Sequence, residues 1–184
     1  MGARAIEELD LSLDLIRASP RDVGTIELIA RRPAENEREL VDEAELDLTR
    51  GLVGDMWSWR KSRRTPDGSP NPDQQLTLMS ARAITAIAGD RAEWPRAGDQ
   101  LYVDLDLSTS NLPPGSRLVL GSAVVEITAV PHTGCAKFAA RFGIDAQRWV
   151  NTPVGRELRL RGVNARVVVA GRLRRGDSIR KLDQ

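Results

Sequence analysis

Arg117-Leu118-Val119-Leu120-Gly121-Ser122-Ala123-Val124-Val125-Glu126-Ile127-Thr128-Ala129-Val130 decides how this chain folds. Residues 123–130 alternate and are rich in β-branched side chains, the pattern of a half-buried strand. Residues 117–120 read as a second strand, and Gly121-Ser122 between them is a two-residue hairpin signal. The next segment, Pro131-His132-Thr133-Gly134-Cys135, breaks the strand. Ala136 to Phe142 then reads as a short helix closed by Gly143.

The same reading extends in both directions. Ile6, Leu9, Leu13 and Ile16 recur at helical spacing until Pro20, which predicts an N-terminal helix packed on something else. Thr25–Ile29, Leu76–Met79 and Leu101–Leu105 read as strands, and Ser80 as the N-cap of a helix ending near Gly89. Residues 61–73, with Pro66, Gly68, Pro70 and Pro72, read as a loop. Asp145 is expected to cap a short helix holding Trp149. Residues 157–161 and 165–173 are expected to form a second hairpin about Gly162-Val163-Asn164. Alternation on a strand would place Trp57 and Trp59 on one face. Short strands, Gly-rich turns and only three or four helices predict a mainly β fold with helices (α+β), a barrel or sandwich decorated by short helices.

Composition narrows the function. At 184 residues the chain suits one domain, or one domain with an extension. Lys+Arg 27 against Asp+Glu 26 leaves a net charge of +1, so no global field recruits nucleic acid or a membrane. Residues 156–184 nonetheless hold nine basic and three acidic side chains, which fits either a local anion site or a solvated face of Arg-rich strands. No apolar run approaches the roughly 20 residues of a spanning helix. A single Cys excludes an internal disulfide framework and fits a reducing, cytoplasmic setting.

That Cys135 is placed where a strand gives way to a helix. Unpaired N–H groups at a helix start favour the thiolate, the form that ligates metals or attacks electrophiles. His132, the one histidine, and Lys137 lie close by in sequence and could add positive charge, and Arg141 would share a helix face with Lys137. His132-x-x-Cys135 is half a zinc-site spacing, but no second Cys or second His exists to complete four side-chain ligands, so no zinc is expected. Phosphate loops, paired CxxC and HExxH motifs are absent.

Three blocks together resemble the MOSC domain, the module found at the C-terminus of molybdenum-cofactor sulfurases and in stand-alone bacterial proteins. They are Gly51-Leu52-Val53-Gly54-Asp55; the stretch from Leu76 to Gly121 with Met79-Ser80-Ala81-Arg82 and Gly98-Asp99-Gln100-Leu101; and Val124 to Thr128 through Pro131, Cys135, Lys137 and Phe142-Gly143, continuing to Arg161-Gly162-Val163-Asn164 and Asp177. Met56-Trp57 and Asp99-Gln100-Leu101 depart from the family pattern, which has a His and an Asn-containing stretch there.

The resemblance implies a MOSC-like β-barrel core over residues 23–184, with residues 1–22 as a helical extension. It implies molybdenum cofactor or sulfur chemistry, with Cys135 as the molybdenum ligand or the persulfide-carrying sulfur acceptor, both roles for a soft thiolate. A weaker family-level link is to pyridoxal phosphate binding. His132, Lys137 and Arg141 are then candidates to hold a small anionic ligand or cofactor. Asp55 from the first block, and Arg60 just after it, join them as cofactor-contacting candidates. A sulfur-donor protein is the expected partner. Molybdenum-cofactor-dependent or sulfur-transfer activity, a non-catalytic binding module on the same barrel, and a structural reading in which Cys135 is a core residue all stay open.

Overall fold

The computed structural model describes residues 4–62 and 65–182. Its strands are β1 (Val23–Arg31), β2 (Glu39–Val41), β3 (Glu43–Asp47), β4 (Gly51–Leu52), β5 (Leu76–Ser80), β6 (Leu101–Asp104), β7 (Arg117–Leu120), β8 (Ala123–Ile127), β9 (Val163–Val169), β10 (Gly171–Arg174) and β11 (Ser178–Lys181). The α-helices are α1 (Ile6–Asp10), α2 (Leu13–Arg17), α3 (Ala81–Ala88), α4 (Ala136–Phe142), α5 (Ile144–Asn151) and α6 (Pro153–Glu157). Three 3-10 helices cover Met56–Trp59, Pro72–Gln74 and Arg91–Ala97.

Seven strands close a barrel in the order β11-β7-β8-β9-β5-β6-β1, with β1 pairing back to β11 through Val23↔Arg180 and Thr25↔Ser178. β2 adds to the far end of β1, and β10-β3-β4 form a separate small sheet. Every barrel pair is antiparallel except β5–β6. A parallel pair needs a crossover. Here it is α3 followed by the 3-10 helix Arg91–Ala97, laid against the outside of the barrel.

Alternation sorts the apolar residues into two cores. Leu76 and Leu78 of β5, Leu101 and Val103 of β6, and Val125 and Ile127 of β8 fill the barrel, joined by Leu46, Leu52 and Leu173 from the small sheet. Met79 and Tyr102 face outward and pack with Ile84 of α3, Phe138 of α4 and Trp149 of α5. A bulge between Ile26 and Leu28 lets both Ile26 and Ile29 face the interior although three positions separate them. Leu9 and Ile16 bring α1 and α2 into the outer core, where Trp149 Nε1 donates to Asp10 Oδ1 at 2.9 Å.

The expected barrel with helices is therefore the fold, and the hairpin about Gly121-Ser122 and the limits of α4 stand as read. Several local expectations are corrected. The N-terminal helix is two short helices, interrupted at Leu11-Ser12. There is no second hairpin at 157–173. Thr152 Oγ1 caps a helix beginning at Pro153, the chain turns through residues 158–162, and β9 starts only at Val163 to fill the slot between β8 and β5. Asp145 lies in the first turn of α5 and does not cap it, since Gly143 occupies that position. Trp57 and Trp59 lie on a 3-10 helix, one buried and one exposed, where a strand would have aligned them. Of the predicted loop 61–73, residues 63–64 lie outside the described residues, and its end folds into the helix Pro72–Gln74.

Candidate functional site

The crossover ends at Gly98, and that helix end organises a cleft. The last carbonyls of a helix lack intrahelical partners and carry the negative end of its dipole. Four arginines from distant segments take them in turn. Arg38 Nε donates to Pro95 O at 3.2 Å, Arg141 Nη1 to Arg96 O at 2.8 Å, Arg161 Nη2 to Ala97 O at 3.0 Å and Arg32 Nη1 to Gly98 O at 3.1 Å. Gly98 has φ +92°, and a Cβ there would stand 3.3 Å from Arg141 Nη1 and 3.5 Å from Arg38 Nη2. Its lack of a side chain lets two guanidinium groups share the space above it.

Two of these cations are neutralised from below. Asp55, fully buried, accepts from Arg32 Nε and Nη2 at 2.8 Å each, from Arg32 N at 2.9 Å and from Trp57 N at 3.0 Å. Asp99, also fully buried, accepts from Arg161 Nη1 at 2.6 Å. Arg38 and Arg141 have no carboxylate partner among the described residues. Burial, then the neighbouring charges of Arg141 and Arg32, push the Arg38 guanidinium below its ordinary value.

The cleft is about 760 Å³, within the usual range of small-molecule sites. Among the described residues seven cationic side chains line it against one acidic one, Glu35, so its local potential is positive although the whole chain is nearly neutral.

Between β8 and α4 an irregular strap, residues 128–135, carries His132 and Cys135 into the cleft wall. Gly134 pins it to α5: its N–H donates to Asn151 Oδ1 at 3.2 Å, and its carbonyl accepts from Gln147 Nε2 and Asn151 Nδ2 at 3.0 Å. A Cβ at Gly134 would meet Val150 Cγ2 at 2.7 Å, so no larger residue seats the strap this closely. Cys135 is the residue preceding α4. Its carbonyl accepts from Phe138 N and Ala139 N, while its thiol is exposed, free and unused in capping.

His132 is placed differently from the sequence expectation. Burial first, then the charge of Arg161, push its imidazole down to about 3, with Asp99 opposing. It is neutral near pH 7 and adds no positive charge. Its Nδ1 lies 3.5 Å from Asp99 Oδ1, and those two atoms together with Arg161 Nε are buried without hydrogen-bond partners.

The remaining expected residues divide. Lys137 and Arg141 line the cleft, with Lys137 Nζ 3.3 Å from Glu35 Oε1, and Arg60 lines it too. Asp55 does not: it lies beneath the floor and is occupied by Arg32 and backbone N–H groups. The cleft unites Cys135, His132, Lys137, Arg141 and Arg60 with Arg32, Arg38 and Arg161, which the sequence reading passed over. Arg161 lay within the third block and Arg32 three residues beyond the predicted strand 25–29, but their convergence on backbone carbonyls leaves no sequence signature.

A profile of the MOSC domain matches residues 65–180, more than half of the chain. The chain belongs to the MOSC domain family. The MOSC match spans β5 to β11 and therefore includes Cys135, Arg141 and Arg161, whereas Arg32, Arg38 and Asp55 precede it. No curated protein matches the sequence significantly. Among solved structures, the YuaD protein from Bacillus subtilis is similar at 19% identity with a TM-score of 0.61, covering 88% of this chain and 97% of that one. YiiM from Escherichia coli is similar at 22% identity with a TM-score of 0.55, covering 89% of this chain and 69% of that one. At these identities the likeness concerns the fold. Among the described residues no helix of this MOSC protein is long and apolar enough to cross a membrane.

Proposed function

We propose that the cleft holds an anionic ligand carrying a thiophilic metal or a transferable sulfur, with Cys135 as its one soft ligand and Arg38 and Arg141 as its charge partners. The observation that carries this reading is the pairing, in one cleft, of a free, exposed thiol with two arginines that have no carboxylate partner among the described residues. Membership of the MOSC family, associated in general with the molybdenum cofactor, supports the same choice.

The residues fit such a group. No cluster of three or more His, Cys, Asp or Glu side chains is arranged for a metal among the described residues, so a metal here would take Cys135 and otherwise bring its own ligands. Arg38, Arg141, Lys137 and Arg60 would hold a cofactor's phosphate. When bound, the cofactor supplies the redox chemistry. The protein's part is to fix the anion, shield it and present the sulfur. In the sulfur-relay form, the Cys135 thiolate attacks the outer sulfur of a donor protein's persulfide and the donor's thiolate leaves, so that one sulfur moves and no net oxidation occurs. An exposed free thiol suits a reducing compartment such as the cytoplasm. In the same reading residues 1–22 are an extension and residues 23–184 the domain.

The test is metal analysis and intact mass of protein purified from a host that makes the molybdenum cofactor. Molybdenum in the native protein and not in Cys135→Ser, or a one-sulfur mass gain confined to Cys135, is expected. Neither signal, from folded protein, would leave a binding module without metal or sulfur.

A further inference from the structure

A second cavity, about 440 Å³, opens against the same strap. Among the described residues it shares only His132 and Asn164 with the Cys135 cleft, so those two residues form the wall between the cavities. Its apolar lining includes Val130, Pro131, Val150 and Val163. Arg156 and Arg159 stand among these residues, and neither has a carboxylate within ion-pair distance among the described residues.

Arg159 is the more telling of the two. Its backbone has φ +49°, a left-handed conformation that is strained for any residue other than Gly. Residual strain of this kind persists where surrounding structure enforces it. Here the enforcement is visible: Nη1 donates to Leu112 O at 2.6 Å and to Leu107 O at 3.4 Å, which fixes the guanidinium. Nε and Nη2 make no hydrogen bond among the described residues and are not sealed from solvent. The group is half-buried, and burial alone pushes it below its ordinary value, with no acid opposing. A fixed, partly desolvated cation beside an apolar hollow lacks one thing, a counter-charge carried on an apolar body.

We propose that this cavity is a second ligand site, separate from the Cys135 cleft, for a small molecule with an apolar body and a single carboxylate. The body packs on Val130, Val150 and Val163, and the carboxylate takes the free edge of Arg159, with Arg156 at the rim. A charge-assisted pair to a fixed fork is stronger than a neutral hydrogen bond. Selectivity for the acid over an otherwise equal neutral molecule therefore marks the site.

The experiment titrates the full chain with 4-phenylbutyrate and with 4-phenylbutanol, followed by amide NMR shifts. The acid is expected to bind at least tenfold more tightly than the alcohol, with shifts concentrated at residues 129–133 and 155–163. Arg159→Gln should remove that advantage. Ala129→Phe, at an exposed position of the lining, should block both compounds without touching the core. Arg156→Gln, in solvent, should lower the advantage in part, and so tests the charge requirement even if Arg159→Gln does not fold. Capping Cys135 with iodoacetamide should leave the binding unchanged, which separates this site from the cleft. Equal binding of acid and alcohol, no binding of either, or shifts centred on Arg38 and Arg141 would overturn the proposal.

Discussion

Asp55 grips Arg32 with both carboxylate oxygens at 2.8 Å, and through it fixes a guanidinium whose other end reaches Gly98 O. The acid is not among the residues that line the cleft. It sets the position of a cation in the cleft wall. Removing one partner of a buried ion pair costs roughly 3–5 kcal/mol. Asp55→Asn is therefore expected to lower unfolding stability by an amount of that order in a denaturant titration. A loss below about 1 kcal/mol would show that Arg32 is held by its carbonyl contact alone.

Arg38 and Arg141, which meet above Gly98, have no carboxylate partner among the described residues. Replacing both with Ala should weaken binding of molybdate or of a phosphorylated pterin at least tenfold, about 1.4 kcal/mol, in calorimetry at low salt. The native affinity should also fall as salt rises, since exposed charges are screened over about 10 Å at 0.1 M. Equal affinity in both proteins would remove the anion-binding role.

The exposed thiol permits a second reading of the same field. Iodoacetamide is expected to add once to native protein and not at all to Cys135→Ser, since there is no other cysteine. Iodoacetate, being an anion, should gain relative to the neutral reagent in the native chain and lose that gain in Arg38→Ala/Arg141→Ala. An unchanged ratio would mean that the arginines do not act at the sulfur.

His132 gives a pH dependence of definite sign. Its folded value, about 3, lies below the unfolded value of about 6.5. Between these the unfolded chain binds the extra proton, so stability is full above pH 6.5 and falls as pH drops toward 3. At pH 5 the loss from this residue is about 2 kcal/mol. Because it is the one histidine, His132→Gln should lose less stability between pH 7 and pH 5 than the native protein by about that amount. Parallel losses in the two would show that His132 protonates freely while folded.

Gly98→Ala tests the helix end itself. At φ +92° an Ala side chain is strained by about 1 kcal/mol, and its Cβ crowds Arg141 Nη1 at 3.3 Å while only touching Arg38. Both stability and anion affinity should fall. Full affinity at reduced stability would mean that the two guanidinium groups do not depend on the glycine.

Local chemistry made much of the barrel readable. Gly121-Ser122 announced the β7–β8 hairpin, Ser80 and Gly89 bounded α3, and Gly143 closed α4. The failure at 157–173 has a local cause too. Thr152-Pro153 is an N-cap followed by a helix-starting proline, and that signal outweighs the turn residues Gly162-Val163-Asn164. The site was half readable. Cys135, Lys137 and Arg141 are neighbours in sequence, whereas positions 32, 38 and 161 join them only because backbone oxygens at 95–98 attract all of them. Main-chain acceptors are identical in every residue, so no pattern of side chains foretells them. The neutrality of His132 likewise follows from tertiary burial.

The seam between β1 and β11 joins Val23 to Arg180, almost the full length of the chain. Such closure brings little reward until most intervening strands are in place, because the entropy of bringing distant segments together comes before their contacts. The molecule is therefore expected to fold in the slow regime of non-local β topologies, roughly milliseconds to seconds, with both edge strands open to foreign partners until the seam zips.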